Sequence, residues 1–387
     1  MRRESDRVQR LQVRLPAAQH QYEIKIGREI LAAVGDEIRQ WLGHSIRRVA
    51  VISNRKVFGL YGARILESLS ANGLLVSPWL MDDGERFKSL ATVGKVLLFL
   101  SKNGFERSDA VLALGGGVVG DVAGFAAATY LRGIALIQVP TTLIAQIDSS
   151  IGGKTGVNLP QGKNLVGAFH QPRGVLIDTA TLTTLPTREL VAGWCESIKQ
   201  GAVGNRGLFE QTTDFLGTLN SNPKAWVSPA LEKLIRAHCT FKAAIVRGDE
   251  REALDRTDHR SRRILNFGHT IGHALEALTR YRRFRHGEAV GHGMLVAGQI
   301  SKNLGLLAAS ELKLLQEAVR LCGPLPEASD LKQSAIMNST LRDKKSRHGR
   351  IQWVLLERVG RARIVDGKEI TPRLLRASLR VGLQKAN

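Results

Sequence analysis

Two stretches in the second half of the chain carry side chains suited to holding a divalent cation and moving protons. Glu196 and Lys199 stand three residues apart, which puts a carboxylate and an ammonium on one helix face. Asn266, His269 and His273, in the run NFGHTIGHALE, fall at i, i+3 and i+7 and again share a face. His286 opens a further helical pattern, HGEAV. His-x-x-x-His is a familiar spacing for a metal pair, so spacing alone makes His269 and His273 the ligands, with a carboxylate as the third. Neutral imidazoles plus one carboxylate, leaving a position open, suit catalytic zinc. Taken singly, each histidine also has a plainer reading as a packed or capping residue.

A second chemical segment runs over residues 115–164 and reads GGGVVGD, YLRG, PTT, QIDSSIGGKTGVN and GKN. Gly115, Gly117 and Gly120 satisfy G-x-G-x-x-G directly after an apolar run, and Asp121 follows in a small-residue helix. Such a turn lets a pyrophosphate approach a helix N-terminus. The match is partial. The loop follows a late strand, and no Asp or Glu occurs between Val122 and Ile147, where a ribose-binding carboxylate is expected. Thr141 and Thr142, and DGERFK over residues 83–88, follow neighbouring strands, where a doubly wound sheet presents its ligand edge. The reading is a dinucleotide held in a variant mode, with Arg132, Lys154 and Lys163 as cations suited to phosphate. A purely structural glycine turn and solvated lysines are the bland alternatives.

The elements that must position these residues change character along the chain. Residues 12–15 and 22–27 suggest an opening hairpin. Strands at 49–53, 74–81, 110–114, 135–139 and 175–178 alternate with helical periods at 29–42, 59–72, 89–103 and 119–129, implying a parallel sheet with helices on both faces. Beyond residue 185 helical patterns dominate, at 188–202, 231–249, 262–277, 286–304 and 309–321, before a strand at 351–356. Residues 201–222 and 255–261 read as loops. The expected fold is α/β plus all-α: a Rossmann-like doubly wound domain over 1–185 and a helical domain over 186–387.

Composition fits a globular enzyme: 387 residues, 43% hydrophobic and 24% charged. No apolar run is long enough to span a membrane, and the arginine-rich start lacks the apolar core of a signal peptide. Cys195, Cys239 and Cys322 are odd in number and widely spaced, which makes a reducing cytoplasm the default and small buried hydrophobes their expected role. The net charge of +21 could indicate nucleic acid, but the basic residues are scattered and no binding motif organises them. A basic surface serving an anionic small molecule is the simpler expectation.

The runs GGGVVGDVAGF, RG, PTTLIAQIDSSIGGKTGVN, GKN, LPTRE, ESIK, LNFGHTIGHALE, HGEAV and DKK occur in the order and spacing of the 3-dehydroquinate synthase family, and the resemblance covers about residues 22–356. It implies an NAD-dependent sugar-phosphate cyclase of the shikimate pathway, with zinc or cobalt as the metal and a homodimer as the assembly. Carried over by position, it implies Glu196, His269 and His286 as metal ligands, which moves His273 to the substrate. It implies nucleotide contacts from Asn54, Glu85, Lys88, Gly116, Gly117, Val118, Asp121, Thr141, Thr142, Asp148, Ser149, Lys163 and Thr184. Substrate contacts would come from Arg132, Asp148, Lys154, Lys163, Asn164, Lys199, Lys242, Arg262, Asn266, His273 and the Lys344–Lys345 pair.

The implied chemistry is transient oxidation of a hydroxyl of 3-deoxy-D-arabino-heptulosonate 7-phosphate, loss of phosphate, return of the hydride, and an aldol closure. In the family the departing phosphate itself is thought to take the proton, so no strong general base is required. The chain departs from the family pattern by about six extra residues in ALDRTDHRS, between Glu252 and Arg262. Arg256 and Arg262 then compete for one substrate position, and Arg262 is preferred because it lies one helical turn before Asn266. Competing readings are a cyclase for another sugar phosphate (2-deoxy-scyllo-inosose or 2-epi-5-epi-valiolone synthase-like), a metal-dependent polyol dehydrogenase, and a basic nucleic-acid-binding protein.

Overall fold

A computed structural model describes residues 21–253, 255–341, 346–347 and 350–384. The sheet-bearing half runs β1 (Glu23–Gly27), α1 (Val34–Leu42), β2 (Arg48–Asn54), α2 (Arg55–Ala71), β3 (Leu75–Met81), α3 (Leu90–Lys102), β4 (Ala110–Gly115), α4 (Gly117–Thr129), β5 (Ala135–Pro140), β6 (Lys154–Leu159), β7 (Gly162–Phe169) and β8 (Gly174–Asp178). Six of these strands form one sheet in the order β1-β8-β5-β4-β2-β3, every pair parallel. The alternation along β2 shows why both faces are covered. Val49 and Val51 join α1 and α2 in one apolar cluster, while Ala50 and Ile52 join α3 and α4 in the other.

Of the opening hairpin expected from the sequence, only the second strand is described. Residues 12–15 lie outside the described residues, and β1 pairs in parallel with β8, which is possible only because the chain returns some 150 residues later. A hairpin of β6 and β7 went unforeseen, because glycines interrupt both strands and their polar residues hide any alternation. Gly156 sits opposite Gly167, and a Cβ on Gly167 would lie 2.1 Å from the Thr155 carbonyl oxygen, so the small residues permit the pairing.

The helical half comprises α5 (Thr187–Gly204), α6 (Arg206–Ser221), α7 (Pro229–Gly248), α8 (His269–Leu278), α9 (His286–Asn303), α10 (Ala309–Leu321), α11 (Gln333–Leu341), a small antiparallel sheet of β9 (Ser346–Arg347), β10 (Arg350–Arg358) and β11 (Arg361–Asp366), and α12 (Pro372–Gly382). Most of the 201–222 stretch read as loop is helix: α6 buries Leu208, Phe209, Phe215 and Leu216, and that burial overrides its two glycines and three threonines. The single helix expected over 262–277 is broken. A 3-10 turn (Arg262–Asn266) ends before Gly268, whose φ of 78° suits glycine, and α8 starts anew at His269. The 255–261 stretch is irregular, as expected.

One apolar core runs across both halves, joining Leu143, Ile147 and Ile177 to Trp194, Ile198, Phe267 and Val290. Cys195, Cys239 and Cys322 are free and buried, and burial pushes the Cys239 thiol up to about 12, as inert core residues require. No helix among the described residues is long and apolar enough to cross a membrane.

The contact between α5 and α9 is a backbone contact. A Cβ on Gly287 would lie 1.9 Å from the carbonyl oxygen of Ala192, with no flexible side chain to yield. Gly287→Ala is therefore expected to destabilise the protein by about 1–3 kcal/mol. Gly94→Ala in α3, where an added Cβ meets nothing within 4 Å, should be neutral or stabilising by up to about 1 kcal/mol. Thermal melts of the two variants check both.

Candidate active site

Residues from three helices gather here: His269 and His273 of α8 with His286 of α9, and Glu196 of α5 beside His286. Glu196 comes from the buried middle of α5, and His269 and His286 are the first residues of α8 and α9. Glycine contacts hold the helices close enough: Gly287 lies against Ala192, and a Cβ on Gly293 would lie 1.9 Å from the Gly268 carbonyl oxygen. The Nε2 of His286 lies 3.7 Å from Glu196 Oε1. The ring centroids of His269 and His286 are 5.1 Å apart, and those of His269 and His273 5.4 Å. Ligand atoms of His269, His273 and His286 all lie within 4.8 Å of one another.

Hydrogen bonding decides which nitrogens are available. His269 Nδ1 lies 3.2 Å from the Phe267 carbonyl, which can only accept, so Nδ1 carries the proton and Nε2 keeps its lone pair. His286 Nδ1 lies 3.3 Å from Glu276 Oε2, with the same consequence. Glu196, almost wholly buried, accepts no hydrogen bond at either oxygen, although Lys199 meets its charge. A buried carboxylate beside imidazoles that carry their protons on Nδ1 fits a divalent cation. Spacing alone had made His269 and His273 the pair. The structure brings His273 into the cluster as well, while Glu196, on a different helix, faces His286.

Beside this cluster, cations and carboxylates interleave. Lys242 pairs with Asp148, Lys154 with Glu252, and Lys199 with Glu196. Arg262 is buried and donates to the carbonyls of Gly152 (2.9 Å) and Glu250 (2.7 Å). Arg256 instead pairs with Asp258 inside the extra loop. Asn266, severed from α8 by Gly268, donates to Glu252 Oε1 at 3.0 Å. Burial would raise the Asp148 carboxyl, but Lys242, Lys199 and Arg262 hold it well below the ordinary carboxylate range. Burial lowers both Lys242 and Arg262. Loss of hydration draws the Lys154 ammonium down to about 8, with Arg262 and Lys242 adding to the shift and Glu252 opposing it.

The third group lines the ends of the parallel strands, where a doubly wound sheet binds ligands. Gly116 caps α4. A Cβ there would lie 2.9 Å from Thr142 Cγ2, and one on Gly117 3.1 Å from Ser149 Oγ. Val118 and Asp121 follow in the first turns of α4, and Thr141 N donates to the Gly115 carbonyl. Lys88 pairs with Asp121 and donates to Asn164 Oδ1 at 2.6 Å; burial raises the Asp121 carboxyl even so. Asn54 caps α2 and donates to Asp83 at 3.2 Å, and Thr184 meets the Tyr61 hydroxyl. Lys163, from β7, lies 3.6 Å from Glu85 and 2.7 Å from Glu276.

Arg132 is the outlier among the expected residues: exposed, with φ of 65°, it makes no hydrogen bond or ion pair with the other site residues among those described. Lys344 and Lys345 lie outside the described residues. Sequence reasoning missed Glu276, Glu252 and Asn158. Glu276 had a signal, since it follows His269 and His273 at i+7 and i+3 along the same stripe. Glu252 and Asn158 had none, because each reaches its partner across the fold.

Two family models match consecutive stretches of the chain: 3-dehydroquinate synthase N-terminal over residues 79–192 and 3-dehydroquinate synthase C-terminal over 193–346. Among solved structures, the 2-epi-5-epi-valiolone synthase of Streptomyces hygroscopicus subsp. jinggangensis, with NAD⁺ and Zn²⁺ bound, is 28% identical, with a TM-score of 0.84 over 96% of this chain and 99% of that one. A 2-deoxy-scyllo-inosose synthase complexed with carbaglucose-6-phosphate, NAD⁺ and Co²⁺ is also 28% identical, with a TM-score of 0.79 over 93% and 96%. Fold and site thus define the sugar-phosphate cyclase class. A 3-dehydroquinate synthase of Picosynechococcus sp. is 42% identical over 356 residues, 91% of this chain and 94% of that protein. The chain belongs to the 3-dehydroquinate synthase family.

The charge on Lys154 should be present below about pH 8 and lost as the pH rises through that value. Glu252→Gln removes the partner that favours the charged form, so the midpoint should move to lower pH. An NMR titration of labelled lysines reads this directly; an unchanged or raised midpoint contradicts it.

Proposed function

We propose that the chain converts 3-deoxy-D-arabino-heptulosonate 7-phosphate to 3-dehydroquinate and phosphate. The observation that carries this reading is the imidazole–carboxylate cluster lying against the interleaved cations, beside the glycine turn at the sheet edge. The substrate is a polyhydroxyl acid with a phosphate: the cluster suits its hydroxyls, the cations suit its anionic groups, and the glycine turn suits the nucleotide.

When bound, NAD⁺ supplies reversible hydride acceptance and a divalent ion, zinc or cobalt, supplies Lewis acidity. Glu196, His269 and His286 would hold the ion. The glycine turn at Gly116 and Gly117, with Val118, Asp121, Thr141, Thr142 and Ser149, would carry the dinucleotide, flanked by Asn54, Glu85, Lys88 and Thr184.

Lys154, Arg262 and Lys242 would orient the substrate's phosphate and stabilise the departing dianion through charge-assisted hydrogen bonds. Lys154 pairs with Glu252, so the phosphate oxygens would be left to act as the base that removes the proton. Asp148 steers Lys242, and Asn266, His273, Lys199 and Asn164 complete the pocket's polar wall. Arg132, Lys163 and the Lys344–Lys345 pair complete the substrate assignment. The extra loop keeps Arg256 engaged with Asp258, which supports Arg262 as the arginine that serves the substrate.

The division at residues 185 and 186, the sheet-bearing part for the nucleotide and the helical part for metal and substrate, belongs to the same proposal. So do a homodimer and a cytoplasmic location, with no nucleic-acid or membrane partner. Identity of 42% to a 3-dehydroquinate synthase, against 28% to the two other cyclases, favours the heptulosonate over other sugar phosphates.

Purified protein given the heptulosonate phosphate, NAD⁺ and metal should release phosphate and form 3-dehydroquinate, with no accumulation of NADH absorbance. Preferential turnover of glucose 6-phosphate or sedoheptulose 7-phosphate would overturn the substrate choice, and steady NADH accumulation the reaction class. His269→Ala should lose the metal, measured by elemental analysis, and all turnover while its circular dichroism stays unchanged. Lys154→Ala should raise KM for the phosphorylated substrate about ten-fold or more, with the NAD Kd nearly constant.

A further inference from the structure

Glu276 touches both sides of the site. Its Oε2 lies 3.3 Å from His286 Nδ1 and its Oε1 lies 2.7 Å from Lys163 Nζ, and the side chain is only 3% exposed. An ionised carboxylate can only accept hydrogen bonds, so both partners must donate to it. The imidazole proton of His286 is thereby confined to Nδ1, and the Nε2 lone pair is left on the side where Glu196 Oε1 lies 3.7 Å away. The other oxygen holds Lys163, which arrives on the β6–β7 hairpin of the opposite half. The Lys163 ammonium also lies 3.6 Å from Glu85 and 5.0 Å above the Tyr281 ring. One buried carboxylate therefore links the first residue of α9 to a cation at the nucleotide edge.

We propose that Glu276 is a positioning residue, which sets the tautomer and orientation of His286 for metal binding and anchors Lys163 beside the nucleotide edge. His269 obtains the same tautomer from the backbone carbonyl of Phe267, so only His286 depends on a side chain for it. The inference rests on the metal-ligand set of the proposed function.

Removing a carboxylate behind a metal-bound histidine is expected to weaken metal binding about 10–100-fold. The full chain and its Glu276→Ala and Glu276→Gln variants are compared by two measurements: Co²⁺ affinity by competition with a chelator, and the ¹⁵N imidazole shifts of His286 in the metal-free protein. Expected are a 10–100-fold loss of Co²⁺ affinity and loss of the pure Nδ1–H signature in the Ala variant, with the Gln variant, whose amide oxygen still accepts, closer to wild type, and far-ultraviolet circular dichroism unchanged. A merely structural glutamate would leave the tautomer signal of the Ala variant intact. Wild-type uptake of Co²⁺ with an Ala-variant affinity within two-fold of it would sink the role of Glu276 alone. A wild-type protein that binds no Co²⁺ would sink the metal assignment, and with it this inference.

Discussion

Everything chemical in this protein depends on three helix backbones approaching more closely than side chains would normally allow. At Gly287 an added Cβ would lie 1.9 Å from the Ala192 carbonyl oxygen, and at Gly293 1.9 Å from that of Gly268. These contacts bring α5, α8 and α9 together, so that a glutamate from the middle of α5 meets the histidine that opens α9, next to the one that opens α8. Packed cores are close to incompressible, and a small residue at a crossing therefore sets the position of side chains one residue away. His286 directly precedes Gly287, and His269 directly follows Gly268.

The second constraint is electrostatic. Lysines and an arginine are expensive to bury unless paired, yet Lys199, Lys242 and Arg262 are all buried. Each is met by a carboxylate or by backbone carbonyls, and the pairs share neighbours: Asp148 feels Lys242, Lys199 and Arg262 together. Such a network keeps its cations in place without filling the site with apolar bulk. A phosphorylated anion entering it meets donors that are already oriented, so little reorganisation is needed when charge develops. The same reasoning accounts for part of the chain's positive balance, although the scattered surface arginines have no structural explanation.

The nucleotide side of the site follows from strand order. Only where parallel strands end together do Asn54, Gly116, Thr141 and Thr184 come within one region, since each follows a different strand of the sheet. The crossing from this edge to the helical half is made by Lys163 and Asp148, which reach Glu276 and Lys242. A single apolar core beneath them ties the halves together.

The elements with strong periodicity were legible. The apolar run of β2 and the helical period of α3 were read within a residue of their bounds, while α2 begins at Arg55, four residues before the start read for it. The α6 helix was hidden by its glycines and threonines, and the β6–β7 hairpin by its glycines and polar residues, because packing rather than local preference stabilises both. The broken helix before His269 was hidden because one positive-φ glycine looks like any other in a linear string. In the site, residue types and order were readable, and so was the family whose motifs they form. The chain's letters by themselves determined which residues were available for chemistry and which lay within one helical turn of each other, since helix geometry relates only near neighbours. Only the tertiary structure decided that Glu196 faces His286, that Arg262 rather than Arg256 is buried among the lysines, and that Glu276 links His286 to Lys163. Those pairings join residues from ten to more than a hundred apart, and close packing of backbones, not local spacing, brings them together.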